Sequence, residues 1–363
     1  MKILFVSRLE RGVRAVSAIT KFAEMGKKLG HDVAVFGEPS SDFPLVPHSL
    51  DIKEFDFTIF VVYEASDFPD VPHLAHLLDG VPKQRRVIID CTGIYNETIS
   101  VDHDSNHWIK LNGHEAWEWI EGFEAVASKI LQPTTAPLRD DVLSFLFFGY
   151  DASAVERPYT SARDASRAWS GETGASRPYG VTYIGHNWQR WSQLRRFFEA
   201  IEPLKDRLGT IQLRGWSWDQ RPQWAVEHRF GGVDVDPALL KRLGVEIGEP
   251  IPFDQVIALQ SQARFCPIFH RPLFNQLGLV TNRTFETFCS DTIPLLMLPD
   301  SVIEEIYGHD ALQLAPGKDV VGKLEDMMRR PEVYWDAVLK TRIHLAAHHS
   351  YERRFEQLMA ILA

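Results

Sequence analysis

The sequence predicts an α/β protein in which two Rossmann-like domains follow one another along the chain, with a cleft between them. Its 363 residues suffice for two domains, at roughly 100–200 residues each. In both halves, short apolar runs alternate with longer helix-like segments, a pattern that predicts parallel sheets covered by helices on both faces. One stretch rich in small and polar residues interrupts this alternation near the middle and divides the chain.

The first domain is predicted over residues 1–150. Its strands are expected at 3–6, 32–36, 58–63 and 86–90, and its helices at about 14–29 and 115–131. Each predicted strand is almost entirely apolar, which indicates a sheet that is buried on both faces.

The middle stretch, residues 151–178, is predicted to be a linker or mobile loop, because Ser, Ala, Arg, Gly and Pro dominate it without apolar periodicity. The second domain is predicted over 179–363, and its last helix is expected to cross back to the first domain. Its strands are expected at 181–184, 211–213, 245–247, 264–268 and 292–297, with helices at about 188–201, 254–263, 320–329 and 333–363. Asn187 is the predicted N-cap of the first of these helices.

The composition narrows the classes of partner and the compartment. Lys and Arg number 39 against 49 Asp and Glu, a net charge of −10, which argues against a largely polyphosphate-binding surface but allows a local basic cleft. Three widely spaced cysteines indicate a reducing compartment, so the cytoplasm is predicted. The first seven residues are too short for a signal peptide, and no apolar stretch approaches the ~18 residues of a membrane span.

Ligands of open α/β sheets bind beyond the carboxyl ends of the strands. No G-x-G-x-x-G follows the first predicted strand, so a dinucleotide cofactor is not expected there, and the nucleophile-elbow and P-loop motifs are also absent. The residues at the carboxyl ends of the other predicted strands are therefore the ones to inspect, and they include Glu64, Asp90, Gly185, Arg214 and His270.

Residues 281–286 (TNRTFE) predict the start of a helix that could bind an anionic ligand. The first amides of a helix bind anions, and Asn282, Arg283 and Thr284 would add donors to them. Glu286, one turn further on, is an acceptor that a ribose hydroxyl could reach. An ordinary amphipathic helix, capped by Thr or Asn and with a solvated Glu286, explains the same residues, so both interpretations stay open.

Several short motifs of the second half occur in an order that resembles the GT-B-fold glycosyltransferases, and most closely their CgeB-like, spore-maturation-type group. They are Y-I-G-H at 183–186, Arg190, G-W-S-W at 215–218, N-R-T-F-E at 282–286 and H-S-Y-E-R-R at 349–354. The resemblance covers residues 178–363, whereas the first half matches only in its pattern of elements.

The resemblance implies a donor nucleotide in the second domain and an acceptor in the first. Glu286 would hold the ribose, whereas Arg283 and the amides of Asn282 to Thr284 would hold the diphosphate. Arg190 would be a second phosphate contact, and Gly185 and Arg214 would complete the donor side.

Two departures from the family pattern leave full activity and the stereochemical outcome open. Gly278 stands where retaining enzymes of the E-x7-E type have a second carboxylate, and Ser290-Asp291 replaces a step of small residues and glycine.

The implied reaction is sugar transfer from a nucleotide sugar, most commonly a UDP-sugar, to an unidentified acceptor hydroxyl. Fixed cations and amides stabilise the departing diphosphate, and a base near the acceptor hydroxyl assists inverting transfer. Asp90 is the first candidate for this base, with Glu64 and His114 after it; a turn cap for Thr92-Gly93 is the alternative role of Asp90.

Metal-independent chemistry without a tightly bound cofactor is predicted. Asp234 and Asp236 form a D-x-D, but Asp236-Pro237 more simply begins a helix. The 102–107 segment and the pair His344 and His348 are weak metal motifs.

Other functions fit the same architecture. They are a nucleotide-sugar epimerase or hydrolase, a phage-type DNA-base glucosyltransferase, and a non-catalytic sugar- or nucleotide-binding protein. The acceptor is correspondingly open: a glycan, a small molecule or DNA.

The ten tryptophans are unevenly placed. Indole faces stack on sugars and bases, and Trp108, Trp216 and Trp218 are the predicted sugar or acceptor contacts. Trp188 and Trp191 belong to an apolar helical face and are expected in the core.

Overall fold

The computed structural model describes residues 1–7, 14–39, 45–62, 74–96, 113–174, 176–227 and 233–363. The first half contains a seven-stranded parallel sheet of order β3-β2-β1-β4-β5-β6-β7. Its strands are β1 (Lys2–Val6), β2 (Asp32–Phe36), β3 (His48–Ser49), β4 (Phe57–Val62), β5 (Arg86–Asp90), β6 (Lys129–Gln132) and β7 (Val142–Ser144). The helices α1 (Arg14–Leu29), α2 (Leu74–Gly80) and α3 (Gly113–Val126) belong to the same half.

The second half contains a five-stranded parallel sheet of order β10-β9-β8-β11-β12. Its strands are β8 (Tyr179–Ile184), β9 (Thr210–Arg214), β10 (Val245–Gly248), β11 (Ala263–Ile268) and β12 (Ile293–Leu296). The remaining helices are α4 (Ala162–Trp169), α5 (Trp191–Ile201), α6 (Lys205–Leu208), α7 (Gln223–Glu227), α8 (Pro237–Leu243), α9 (Val256–Gln260), α10 (Pro272–Gln276), α11 (Asn282–Glu286), α12 (Asp300–Tyr307), α13 (Val320–Arg329), α14 (Pro331–His348) and α15 (Tyr351–Leu362).

The central strands of both sheets are buried on both faces, as the apolar strand sequences predict. Consecutive residues Val87, Ile88 and Ile89 of β5 are all fully buried although their side chains point to opposite faces. This is the pattern of a parallel sheet with helices on each side. The prediction of two Rossmann-like domains in tandem is therefore confirmed.

The segment 151–178 contains a helix where the sequence predicts irregular structure. Helix α4 begins after Ser161, whose hydroxyl accepts a hydrogen bond from the Asp164 amide at 3.1 Å. Its buried residues Ala165 and Trp169 belong to the main hydrophobic core, and the Trp169 indole donates to the carbonyl of Arg264 at 2.9 Å. Because this short helix has so few apolar residues, its sequence shows no clear helical periodicity. Packing against the core of the second half stabilises the helix.

Asp291 fastens this segment to the second domain. Its carboxylate is almost fully buried and forms ion pairs with Arg177 at 2.7 Å and Arg157 at 3.2 Å. The Tyr159 hydroxyl also donates to it, at 3.1 Å. Asp291 thus has a structural role at the position where the family pattern has a small residue.

The last helix, α15, packs on the first domain. The rings of Tyr351 and Phe355 lie 6.1 and 6.3 Å from the ring of Phe22 on α1. Lys28 of α1 forms an ion pair with Glu352 at 2.9 Å. These contacts tie the end of the chain to the helix that follows the first strand.

A second connection between the two halves is formed by residues 273–280, which we call the interdomain strap. The amide of Val280 donates to the carbonyl of Pro133 at 2.7 Å, and Leu279 forms an antiparallel bridge with Thr134. Leu277 packs so closely on Gly93 that a Cβ at residue 93 would lie 2.2 Å from its Cδ1 atom. The strap therefore seats on the turn that follows β5.

We expect Gly93→Ala to weaken the strap. Gly93 has φ +74°, so alanine costs about 1–2 kcal/mol of backbone strain, and its methyl would overlap Leu277, at a further ~1–3 kcal/mol. Gly30→Ala is the matched control, because Gly30 has φ +79° but no atom within 4 Å of its Cβ position. Urea unfolding should show a larger loss for Gly93→Ala, and equal losses would contradict the strap contact.

Candidate active site

The second sheet has its crossover point at β8 and β11. From β8 the chain passes through β9 to β10 at one edge, then returns to β11 on the other side of β8 and continues to β12. Loops that leave adjacent strands in opposite directions open a crevice at the carboxyl end of the sheet. This crevice is therefore the place to look for a ligand.

Arg283 of α11 lies across this crossover point. Its Nη1 donates to the Tyr183 hydroxyl at 3.1 Å, and its Nη2 donates to the carbonyl of Ile184. The guanidinium carbon also lies 5.0 Å from the centroid of the Tyr183 ring. Gly185 makes this possible, since a Cβ there would lie 2.6 Å from Nη2.

A second arginine and a histidine share the crevice. Arg190 is buried at the N-cap position of α5, and its Nη1 donates to the carbonyl of His186 at 2.8 Å. His270, just after β11, is buried as well; burial, with the charges of Arg283 and Arg190, lowers its pKa to about 4. Two guanidinium groups thus act on one neutral imidazole, which makes this pocket locally positive.

The start of α11 is ordered by its threonines. The Thr281 amide donates to the Thr284 hydroxyl at 3.2 Å, and this buried hydroxyl lies 3.4 Å from Nε2 of His270. Thr284 therefore shapes the first turn of the helix. Asn282 donates to Oε2 of Glu286 at 2.6 Å, which orients a half-buried carboxylate beside the helix start.

An aromatic pair borders the crevice at the end of β9. The indole of Trp216 is 61% exposed and stacks on the His186 imidazole, with 4.3 Å between ring centroids and 13° between planes. The Trp216 amide donates to Nδ1 of His186 at 3.1 Å, which fixes this arrangement. Arg214 is the last residue of β9, and its guanidinium lies against Gly248 of β10.

Trp218 does not serve as the predicted ligand contact. Its indole is fully buried, packs edge-on against Tyr183 at 6.0 Å, and donates to the carbonyl of Gly185 at 2.7 Å. A ligand cannot reach a side chain enclosed in this way. The structure therefore makes Trp218 part of the core beneath the loop.

Asn187 is not the predicted helix cap either. Helix α5 begins at Trp191, with Arg190 in the cap position and no side-chain cap. The side-chain Nδ2 of Asn187 instead donates to the carbonyls of Ser217, Val233 and Asp234. It joins three loops, a role that depends on tertiary neighbours and leaves no local sequence signal.

Asp90 has the geometry of the alternative role, a turn cap. Its carboxylate is fully buried: Oδ1 accepts from the amides of Thr92 and Gly93 at 3.1 and 2.9 Å, and Oδ2 accepts from Tyr95 and Gln132, both at 2.9 Å. The strap covers the same turn through Gly93. An acceptor hydroxyl has no access to this carboxylate.

The remaining predicted residues lie outside the described part of the chain. This applies to Glu64 and Trp108, and to the side chain of His114, which belongs to α3. The loops that follow β1 and β4, at the crossover point of the first sheet, are also outside it.

The described residues hold no group of three or more His, Cys, Asp or Glu side chains arranged to bind a metal ion. Asp236 caps α8, where its Oδ1 accepts from the amides of Ala238 and Leu239. Asp234 lies 3.4 Å from Arg221. The D-x-D therefore has the structural role that the sequence favours.

None of the described helices is long and apolar enough to cross a membrane. The cysteines Cys91, Cys266 and Cys289 are buried, and none of the three forms a disulfide.

Two parallel sheets in tandem, covered by helices, are the arrangement of the GT-B fold. Residues 189–360 match a family model described as glycosyl transferase-like. The match and the fold together confirm the predicted enzyme class, a glycosyltransferase. No curated protein matches the chain in sequence.

The chain is similar in fold to several solved structures, and the similarity covers nearly its whole length. An α-glucosyltransferase in complex with UDP and a 13-mer DNA containing an HMU base has a TM-score of 0.62 at 13% identity, covering 100% of this chain and 99% of that one. An α-glucosyltransferase in complex with UDP has a TM-score of 0.60 at 14% identity and 99% coverage of both chains. T4 phage BGT in complex with its UDP-glucose substrate has a TM-score of 0.50 at 12% identity, covering 98% and 99%.

We expect Asp90→Asn to lower stability and to spare catalysis. One amide NH₂ would face donors that now bind a carboxylate oxygen, which costs about 1–3 kcal/mol. Sugar-nucleotide turnover per folded molecule should stay within a few-fold of wild type. A loss of about 10²–10⁴-fold in kcat without a change in the melting temperature would instead identify Asp90 as the general base.

Proposed function

We propose that the protein transfers a sugar from a UDP-sugar, bound in the crevice of the second domain, to an acceptor hydroxyl presented by the first. The observation that supports this is the placement of Arg190 and Arg283 around His270, where α5 and α11 begin. Two guanidiniums beside the amides of helix starts suit a diphosphate, which has two charged groups to neutralise.

Other predicted donor-site residues would bind the ribose and the base or sugar of the nucleotide sugar. Glu286 would accept hydrogen bonds from ribose hydroxyls, since its carboxylate lies one turn beyond the helix start. The exposed Trp216 face offers a stacking surface for a base or a sugar ring. UDP-glucose is the first donor to test, because it is the substrate with which T4 phage BGT was crystallised.

In the proposed reaction the bond between the sugar and the diphosphate breaks as the acceptor oxygen attacks. Negative charge grows on the departing diphosphate, and Arg190, Arg283 and the helix amides would stabilise it without having to reorganise. His270 is neutral at pH 7 because of its low pKa. Glu64 follows β4 at the crossover point of the first sheet, which supports it as the general base; His114 is the other candidate.

We also propose metal-independent chemistry without a tightly bound cofactor, because the arginines supply the positive charge that the diphosphate requires. Loss of turnover in the presence of a chelator, with recovery on addition of Mg²⁺ or Mn²⁺, would contradict metal independence.

The three buried cysteines form no disulfide, which supports a reducing compartment such as the cytoplasm. Assignment to the CgeB-like group, and the division at 1–150, 151–178 and 179–363, stay predictions.

Titration calorimetry with UDP and UDP-glucose tests the donor site. We expect Arg283→Ala to weaken UDP binding by about 10- to 100-fold, since it removes a hydrogen-bonding charge worth about 1.5–3 kcal/mol. Arg195→Ala is the matched control, because Arg195 is an exposed arginine of α5 that pairs with Glu199. Equal UDP affinity in wild type and Arg283→Ala would refute the proposed site.

A DNA base is the acceptor that a specific observation favours. The α-glucosyltransferase crystallised with UDP and an HMU-containing DNA covers 99% or more of both chains, although the net charge of −10 here opposes DNA binding. With UDP-glucose and a duplex carrying a hydroxymethylated base, mass spectrometry should show the gain of one hexose. The apparent affinity for DNA should also fall steeply with salt.

Consumption of UDP-glucose without a change in the DNA would direct the search to a glycan or small molecule. Donor alone distinguishes the remaining alternatives. An epimerised sugar would indicate an epimerase, whereas donor binding without hydrolysis or transfer to any acceptor would indicate a binding protein.

A further inference from the structure

Gln189 is held in an unfavourable state in the loop that follows β8. Its φ is +55°. This left-handed backbone conformation raises the free energy of any residue other than glycine. The residue is only 3% exposed. Both polar atoms of its carboxamide, Nε2 and Oε1, are buried without a hydrogen-bond partner.

The surrounding contacts explain how this state persists. Asn187 ties the loop to the carbonyls of Ser217, Val233 and Asp234, and Trp218 donates to the carbonyl of Gly185. The chain then enters α5 at residue 191. Gln189 lies between these anchors, so its backbone conformation is imposed from both sides.

The strain is concentrated at the crevice. Among the described residues, only Gln189 and Ser217 combine a non-glycine side chain with a left-handed φ, and they lie in the loops after the adjacent strands β8 and β9. Strained backbone clusters at active sites and ligand clamps, and an unpaired buried polar group calls for an explanation such as a bound ion or ligand.

The position of Gln189 indicates the chemistry of that ligand. It immediately precedes Arg190, which occupies the N-cap position of the eleven-residue helix α5 and whose charge, with that of Arg283, acts on His270. Positive charge and helix amides select an anion. A carboxamide can add an uncharged N–H donor to the same anion, which two guanidiniums alone do not supply.

We propose that Gln189 is a donor-binding residue whose carboxamide Nε2 donates a hydrogen bond to a diphosphate oxygen of the nucleotide, beside Arg190. This inference rests on the proposed function. Because both amide atoms are enclosed, this contact requires the turn at 188–190 to rotate. Release of the left-handed backbone and pairing of the amide both favour this rotation.

The proposal predicts opposite effects on stability and on binding. Gln189→Ala removes an unpaired buried amide, so the melting temperature of the free protein should stay unchanged or rise. The same variant should raise the Kd of UDP, measured by calorimetry, about tenfold or more. Gln189→Glu should weaken binding further, because its carboxylate repels the diphosphate.

Gln212→Ala is the matched control. Gln212 is also a buried glutamine with an unpartnered amide oxygen, but it lies within β9, away from the crevice. Its substitution should leave the Kd of UDP unchanged. Gln189→Asn is the second variant should alanine fail to fold, since asparagine tolerates the left-handed region but is too short for the ligand.

The outcomes separate the two levels of the proposal. If the wild type does not bind UDP, the proposed function is wrong and the inference falls with it. If the wild type binds UDP and Gln189→Ala binds it equally well, only the inference is overturned. A lower melting temperature with an unchanged Kd would likewise show that Gln189 has a purely structural role.

Discussion

The attachment of Arg283 to the end of β8 is the interaction on which the rest of the site depends. One guanidinium joins helix α11 to the Tyr183 hydroxyl and the Ile184 carbonyl, across the point where the strand order reverses. It fixes the distance between the two helix starts that border the crevice. It also requires glycine at 185, because a Cβ there would overlap the Arg283 guanidinium. This steric requirement explains the glycine of the Y-I-G-H motif.

The charge of the site differs in sign from that of the molecule. The chain carries −10 overall, yet Arg190 and Arg283 act together on one buried imidazole. Composition averages over the whole surface, whereas binding depends on the few groups that converge at one sheet edge. An acidic protein can therefore contain an anion site, provided that its cations are buried and its carboxylates are exposed or paired elsewhere.

The sequence predicts those features that depend on local pattern and chain order. Apolar strands, their parallel arrangement, and the placement of Arg283 and Glu286 at a helix start follow from periodicity and from the position of residues after strands. Features that depend on contacts distant in sequence are not predictable in this way. The burial of Trp218, the helix within 151–178 and the left-handed Gln189 all result from loops that other loops hold in place.

The strap has a consequence for recombining domains. The Val280 amide donates to the carbonyl of Pro133, and the next residue, Thr281, is the N-cap of the helix that contains Arg283. The Pro133 loop of one half therefore helps to position the first turn of α11 in the other. A chimera joined within 151–178 would separate these partners, although its junction falls between the sheets. Exchange of acceptor specificity among such proteins thus requires that 133–134 and 277–280 be transferred as a matched pair.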